Sequence, residues 1–271
     1  MSGRVGMQER RTGVSDFTQS TRARLGTNRA VRITAAAIAV AIILIQLPVL
    51  WQALSDPDRN VGSDYQLYVE ATRRWAQGGP FYEPYQLAGP YTIRHGDVLY
   101  PPVALVLFLP FTFLPAALWW AIPIATTLAV LVRHRPSVVV WPVMAACVGW
   151  QPAQLHIING NPSIWVMAAV GLGTIFRWPY VLALIKPTHF VFALLGARDP
   201  GWWVALAVFL GLCALFLPMW PDWLAVIQNA RGGTGLFYSW QEATMPLLPV
   251  VAWLGRSRGR YGHGERRSVA T

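Results

Sequence analysis

Between residues 31 and 255 the chain is dominated by apolar runs almost free of charge, near 31–54, 98–132, 137–150, 162–176, 178–197, 201–220 and 243–255. No water-exposed fold can hide that much contiguous apolar surface. Lipid offers no hydrogen-bond partner to a bare peptide group, so such runs become helices, and about 20 residues suffice to cross a bilayer. The shorter runs suit broken or re-entrant helices. Only 13% of residues are charged, against about 25% in ordinary soluble domains. The expected fold is therefore all-α: a polytopic helical membrane protein with about 7–8 membrane segments. The first run follows a polar head of 30 residues and lacks a small-residue cleavage site, so it is expected to stay as helix 1 rather than act as a signal.

The net charge of +10 raises the question of nucleic acid, and its distribution answers it. Seven arginines lie at 4–32 and five at 256–267, beside apolar runs at both ends. That is the positive-inside pattern of a plasma-membrane protein with both termini cytoplasmic. Anionic lipid headgroups are the natural partners of such arms, and no nucleic-acid role is expected. The reading divides the chain into a disordered basic arm (1–30), one integral membrane domain (31–255) and a basic tail (256–271). Stretch 55–99 holds six acids against four arginines and is expected outside, as is 221–242. Arg133 and Arg135 place 98–132 as a single net crossing broken at Pro110 and Pro115, with two full spans as the rival arrangement. Residues 178–197 must return to their starting side, as a hairpin bent at Lys186-Pro187. Cys147 and Cys213 lie in apolar runs as packing residues, with no metal or disulfide spacing. No internal repeat is visible, which argues against a transporter of two related halves.

Four polar clusters can carry chemistry. Residues 64–77 read as an amphipathic helix too polar to span, lying at the interface. Ser63 and Gln66 make a capping-box pattern. Asp64, Tyr68, Ala71, Thr72 and Trp75 share one face, with Leu67 and Val69 elsewhere. Asp64 sits on the first turn, where the helix dipole favours a carboxylate. It is either a general base beside the membrane face or simply a helix-start residue. Tyr100 opens DVLYPPVAL as an interfacial aromatic, and Arg94 and His95 before it could meet a phosphate or be plain loop charges. In HIINGNPS, His156, Asn159 and Asn161 could bind sugar hydroxyls, while Asn161 could equally cap the next helix with Pro162 at its first position. Finally, Lys186 is the only lysine among 22 Lys and Arg residues. A cation in an apolar run is a functional candidate by default, here with His189 three residues on, although a snorkelling lysine is the plain alternative.

Taken in order, D-x-x-x-Y (Asp64 to Tyr68), G-G-P-x-Y (Gly78 to Tyr82), Y-P-P to L-P (Tyr100 to Pro110), G-N (Gly160, Asn161) and K-P (Lys186, Pro187) resemble the family 87 glycosyltransferases. These are multi-spanning enzymes of the GT-C class that depend on polyprenyl phosphates. The resemblance covers roughly 64–190. It implies transfer of a sugar, mannose in the first instance, from a polyprenyl-phosphate donor to a glycolipid or polysaccharide acceptor. It implies Asp64 as catalytic base. Lys186, His189 and Arg94 would meet the donor phosphate, and Tyr68, Tyr100, His156, Asn159 and Asn161 the sugar or acceptor. No metal or other cofactor enters that scheme. The chain is shorter than is usual for the family, so a member truncated in its C-terminal spans is expected, and NGNPS stands where G-Q-x-N is more usual. The alternative is a non-catalytic membrane protein, such as a degenerate transferase, a lipid carrier or an assembly partner.

Overall fold

The computed structural model describes residues 28–56, 61–94, 96–231 and 240–257. The expected basic arm falls almost wholly outside these residues, as do most of the tail and stretch 232–239 of the second polar loop. The described chain is helical apart from one two-residue ladder and one isolated bridge. Two helices are long and apolar enough to cross a membrane: Arg29–Gln52 within helix α1 (Arg29–Ser55), and helix α5 (Ala117–His134). Two bent pairs could each form one more span, Val138–Gly149 with Gln151–Asn159 at 59° and Pro200–Leu215 with Leu217–Asn229 at 71°. The protein is a helical membrane protein.

The helices run between two polar ends. One end is basic. Ser137 donates its amide to Gly255 O at 2.8 Å, and Pro136 bridges Arg256. Arg177 and Arg256 lie 5.1 and 5.3 Å from the ring of Trp253. Arg29 and Arg32 share a cavity there with Val138 and Trp141. At the other end the described residues of the three polar clusters 55–99, 156–163 and 221–242 pack together. Gly62 N donates to Ile158 O at 3.1 Å. The Trp223 indole donates to Leu99 O at 3.1 Å, and the Tyr91 hydroxyl to Val226 O at 3.2 Å. Strand β1 (Tyr91–Thr92) pairs in parallel with β2 (Ala230–Arg231).

Helix α2 (Ser63–Ala76) lies across this second end, packed on the broken segment Pro102–Thr112 that includes the short helix α4 (Leu105–Phe108). Between α2 and it follow helix α3 (Pro84–Ala88) and β1. The Ser63 capping box does not form. Ser63 is already the first helical residue, and Gly62, at φ 79, precedes it with its amide committed to Ile158. A capping box does form at Glu83 and Gln86, opening α3. The buried face of α2 is also wider than its pattern suggests, since Val69 is buried beside Tyr68, Ala71 and Thr72. The paired arginines hold backbone: Arg73 donates to Thr112 O at 2.9 Å, and Arg74 to Pro80 O at 2.7 Å while pairing with Glu83. Each is thus a clamp between α2 and a loop that has no ladder of its own. Beneath α2 an aromatic cluster forms the core of this end. Tyr68 stacks on Phe108 at 5.0 Å, Phe111 meets Trp119 edge-on at 4.9 Å, and Trp165 closes the group. Such pairs contribute about 0.5–1.5 kcal/mol each beyond simple burial. Tyr100 belongs to this core, 1% exposed, and not to a surface belt.

The run 98–132 breaks at Pro115, in the turn between Thr112 and Ala117, whereas Pro110 lies inside the helical stretch Leu109–Thr112 and does not end it. After α5, helices α6 (Trp141–Gly149) and α7 (Gln151–Asn159) carry the chain from the basic end to the Gly160 turn. Helix α8 (Ser163–Phe176) returns to Arg177. Residues 178–197 then form the hairpin. A 3-10 stretch Trp178–Ile185 rises to Lys186, and Pro187–Gly196, with short helix α9 (Phe190–Ala193), descends until Gly196 abuts the Arg177 carbonyl. Helices α10 (Pro200–Leu215) and α11 (Trp220–Asn229) follow. Helix α12 (Thr244–Leu254) runs from the Glu242 turn to the basic end.

Candidate active site

The turn between α7 and α8 is the hub. Gly160 sits at φ 74, a left-handed conformation that favours glycine, and a side chain would also have no room: a Cβ there would come 2.6 Å from Trp120 and 2.9 Å from Tyr65. Trp119 Nε1 donates to Gly160 O and Trp120 Nε1 to Ile157 O, both at 2.7 Å. So pinned, the turn presents Asn161, which is 5% exposed. Asn161 Oδ1 accepts the Ser163 amide at 3.0 Å; α8 begins at Ser163 with Pro162 as its cap residue, one position later than the sequence suggests, so Asn161 holds the first helical amide from just outside the helix. It also accepts from the Lys186 ammonium at 3.2 Å and the Tyr100 hydroxyl at 3.3 Å. Asn161 Nδ2 donates to Asp64 Oδ2 at 2.7 Å. Asp64 and Lys186, remote in the chain, thus meet through one amide.

Lys186 is held from three sides and is 1% exposed. Its ammonium donates to Ser163 Oγ at 2.8 Å, to Asn161 and to the Glu242 carboxylate. Ser163 also donates to Glu242, and His156 Nε2 lies 3.3 Å from the other carboxylate oxygen. Burial alone would raise the Glu242 carboxyl. The charges of Lys186 and His156 and the two hydrogen bonds outweigh it, holding the group below its ordinary value. A buried pair of this kind balances desolvation against attraction only while every partner is present.

The sequence candidates divide accordingly. Asp64, Tyr100, His156, Asn161 and Lys186 form one connected cluster, with Tyr68 beneath it, its ring 5.0 Å from that of Tyr100. The Lys186 ammonium is enclosed by Glu242 and is not presented to a ligand. His189 is wholly buried behind it, with Nδ1 against Thr188 and Nε2 without a partner among the described residues. Asn159 ends α7, and no bond joins it to the cluster among the described residues. Arg94 stands apart, 5.5 Å over the Tyr85 ring, with its amide donating to Asp97 at 2.7 Å. Burial and a hydrogen bond to Asp97 push the Tyr85 phenol up to about 12. His95 lies outside the described residues. Glu242 and Ser163 were not among the candidates. Glu242 stands in YSWQEATMP, where an acid reads as a solvated loop charge. The one usable signal was electrostatic: a lone lysine in an apolar run needs a counter-charge, and Glu242, at the head of the run 243–255, is one of the few acids beside such a run.

A charged cluster buried at one end of the helices of a membrane protein is a candidate functional site. Residues 99–269, well over half of the 271, match the model of glycosyltransferase family 87. The chain belongs to that family and is a glycosyltransferase by membership. No curated protein and no solved structure matches it. The matched stretch contains Tyr100, His156, Asn161, Lys186 and Glu242. Asp64 precedes it and joins it through the Asn161 amide.

Proposed function

We propose that the protein transfers a sugar, mannose in the first instance, from a polyprenyl-phosphate donor to a glycolipid or polysaccharide acceptor. The reaction takes place at the outer face of the plasma membrane, with both termini in the cytoplasm and Asp64 as base. The observation that carries this reading is the Asp64–Asn161–Lys186 chain, with its 2.7 Å bond from amide to carboxylate. Asp64 is half-buried at the first turn of α2, and its Oδ1 has no hydrogen-bond partner among the described residues. That oxygen is free to take the proton of an acceptor hydroxyl. As the proton leaves, the hydroxyl oxygen attacks the anomeric carbon from the face opposite the phosphate. The carbon–oxygen bond to phosphate breaks, its electrons staying on the leaving group. One displacement with no covalent intermediate inverts the anomeric centre and releases polyprenyl phosphate.

The departing phosphate needs positive charge nearby. Lys186 supplies a field from behind Asn161. Arg94, and Arg231 across the β1–β2 ladder, enter no ion pair among the described residues and can meet the phosphate directly. His156 and Asn161 stand toward the sugar, and the buried Tyr100 supports Asn161 from beneath. The gathering of arginines at the opposite end of the helices supports the cytoplasmic placement of that end.

The test is transfer of labelled mannose from polyprenyl-phosphate-mannose in enriched membranes. Asp64→Asn should lower the rate by about 100-fold or more, the usual weight of a general base. Full activity in that variant would refute the base assignment. The enclosure of Lys186 is the observation favouring a non-catalytic reading. That reading expects no labelled product from wild-type membranes with any glycolipid or polysaccharide acceptor supplied.

A further inference from the structure

One charged group of the cluster has no part in the proposed transfer. Glu242 is 3% exposed and touches Lys186, Ser163 and His156, but neither Asp64 nor the open side of the site. We propose that Glu242 is a positioning residue for Asp64: by holding Lys186 it fixes the Asn161 amide that aims the base, and it keeps the lysine's charge from quenching that base. The inference rests on the reading of Asp64 as base.

The first half follows from donor counting. An asparagine amide can flip, exchanging its oxygen and nitrogen. Here one end of the amide meets three donors, the Ser163 amide, the Lys186 ammonium and the Tyr100 hydroxyl, at 3.0, 3.2 and 3.3 Å. A nitrogen in that place would face three donors and no acceptor, so the oxygen must stand there. The nitrogen is then forced toward Asp64, and its N–H pins Oδ2 at 2.7 Å. The carboxylate cannot rotate freely, and Oδ1 is left without a hydrogen-bond partner among the described residues. Lys186 is the charged member of the three donors, and Glu242 determines where its ammonium sits.

The second half follows from charge. An ammonium bonded directly to Asp64 would stabilise its ionised form and weaken it as a base. The structure instead inserts a neutral amide between them and gives the ammonium its own carboxylate. Among the described residues, the ionisable groups around Asp64 are Lys186 on the hairpin, Glu242 before α12, His156 on α7 and Tyr100. Its own helix adds Tyr65, Tyr68, Glu70 and, in its last turn, Arg73 and Arg74, which bond the Thr112 and Pro80 carbonyls; residues 102–112, which pack along α2, contribute none. Removing the Glu242 charge leaves a net positive group one amide from the base.

Kinetics of purified, monodisperse variants with polyprenyl-phosphate-mannose test this. Glu242→Gln should lower kcat about tenfold or more while KM for the donor stays within about twofold, because the loss falls on the transition state. The acid limb of its kcat/KM profile should move to lower pH, since the uncovered ammonium makes Asp64 a weaker base. In Lys186→Met with Glu242→Gln that limb should return to its wild-type position, while kcat stays low because Asn161 has lost its clamp. A merely structural Glu242 would reduce folded yield but leave kcat and the pH profile of the folded fraction unchanged, and that result overturns the proposal. If Glu242→Gln does not fold, the double variant decides, because it buries no unpaired charge. Low kcat with unchanged KM supports the clamp, and wild-type kcat rejects it. Asp64→Asn is run alongside: activity there sinks the base reading itself, whereas an inactive Asp64→Asn beside an unaffected Glu242→Gln sinks only the role of Glu242.

Discussion

Gly160→Ala isolates the physics that builds the site. Two costs are added at once. The backbone is at φ 74, a left-handed conformation that asks about 1–2 kcal/mol of an L side chain. The new Cβ would also stand 2.6 Å from Trp120 and 2.9 Å from the Cβ of Tyr65, neither of which is the loose end of a flexible chain. Overpacking of that kind costs about 1–3 kcal/mol. Together they predict a loss of about 2–5 kcal/mol. Gly78→Ala is the built-in control, because Gly78 has φ 86 but nothing within 4 Å of an added Cβ. It should lose only the backbone part, about 1–2 kcal/mol. Denaturant unfolding in detergent, followed by tryptophan fluorescence, compares the two directly. The folded fraction of Gly160→Ala should also lose transferase rate, since relieving the clash moves the turn that carries Asn161. A Gly160→Ala protein no less stable than Gly78→Ala would refute the claim that packing, rather than φ alone, pins this turn.

Lys186→Met alone leaves Glu242 buried with only His156 and Ser163 beside it and should destabilise by about 3–5 kcal/mol, while the double variant with Glu242→Gln recovers most of that in the same unfolding assay. The Glu242 carboxyl is held below its ordinary value. Its contribution to stability is therefore present above the unfolded carboxyl pKa and lost as pH falls through the lower folded one. The Tm difference between wild type and the double variant should hold from neutral down to about pH 5 and shrink only below that, as pH falls toward and through the lowered folded value. Arg94→Ala should raise KM for the donor about tenfold and leave the Asp64-dependent pH profile alone, and an unchanged KM would remove Arg94 from the phosphate site.

What could be read from the residues was what local rules govern. A lone lysine in an apolar run, a proline after it, an asparagine before Pro162 and an acid on a first turn each follow from the energetics of one short stretch. Their convergence followed from the arginines, which sorted the polar clusters to one end. What escaped depended on partners distant in the chain. Ser63 loses its capping role because the Gly62 amide is claimed by Ile158. Tyr100 leaves the interface because α2 covers it with Tyr68. Lys186 reads as an offered cation until the structure supplies Glu242 from 56 residues downstream.

That last difference bears on what a membrane enzyme can do with an ionised group. A bare ammonium at the head of the hairpin would be costly in lipid and would bind any anion that reached it. It would also pair with Asp64 whenever substrate was absent, and the site would rest in a quenched state. Committing the lysine to Glu242 removes both problems at the cost of a buried pair that stands only while all its partners remain. The same commitment leaves the cation's influence on Asp64 to pass through the Asn161 amide, whose direction is fixed by three donors. On the proposed reading, a site so arranged keeps Asp64 aimed and free of a direct ion pair before the donor arrives, which is the preorganised state a displacement at the membrane surface requires.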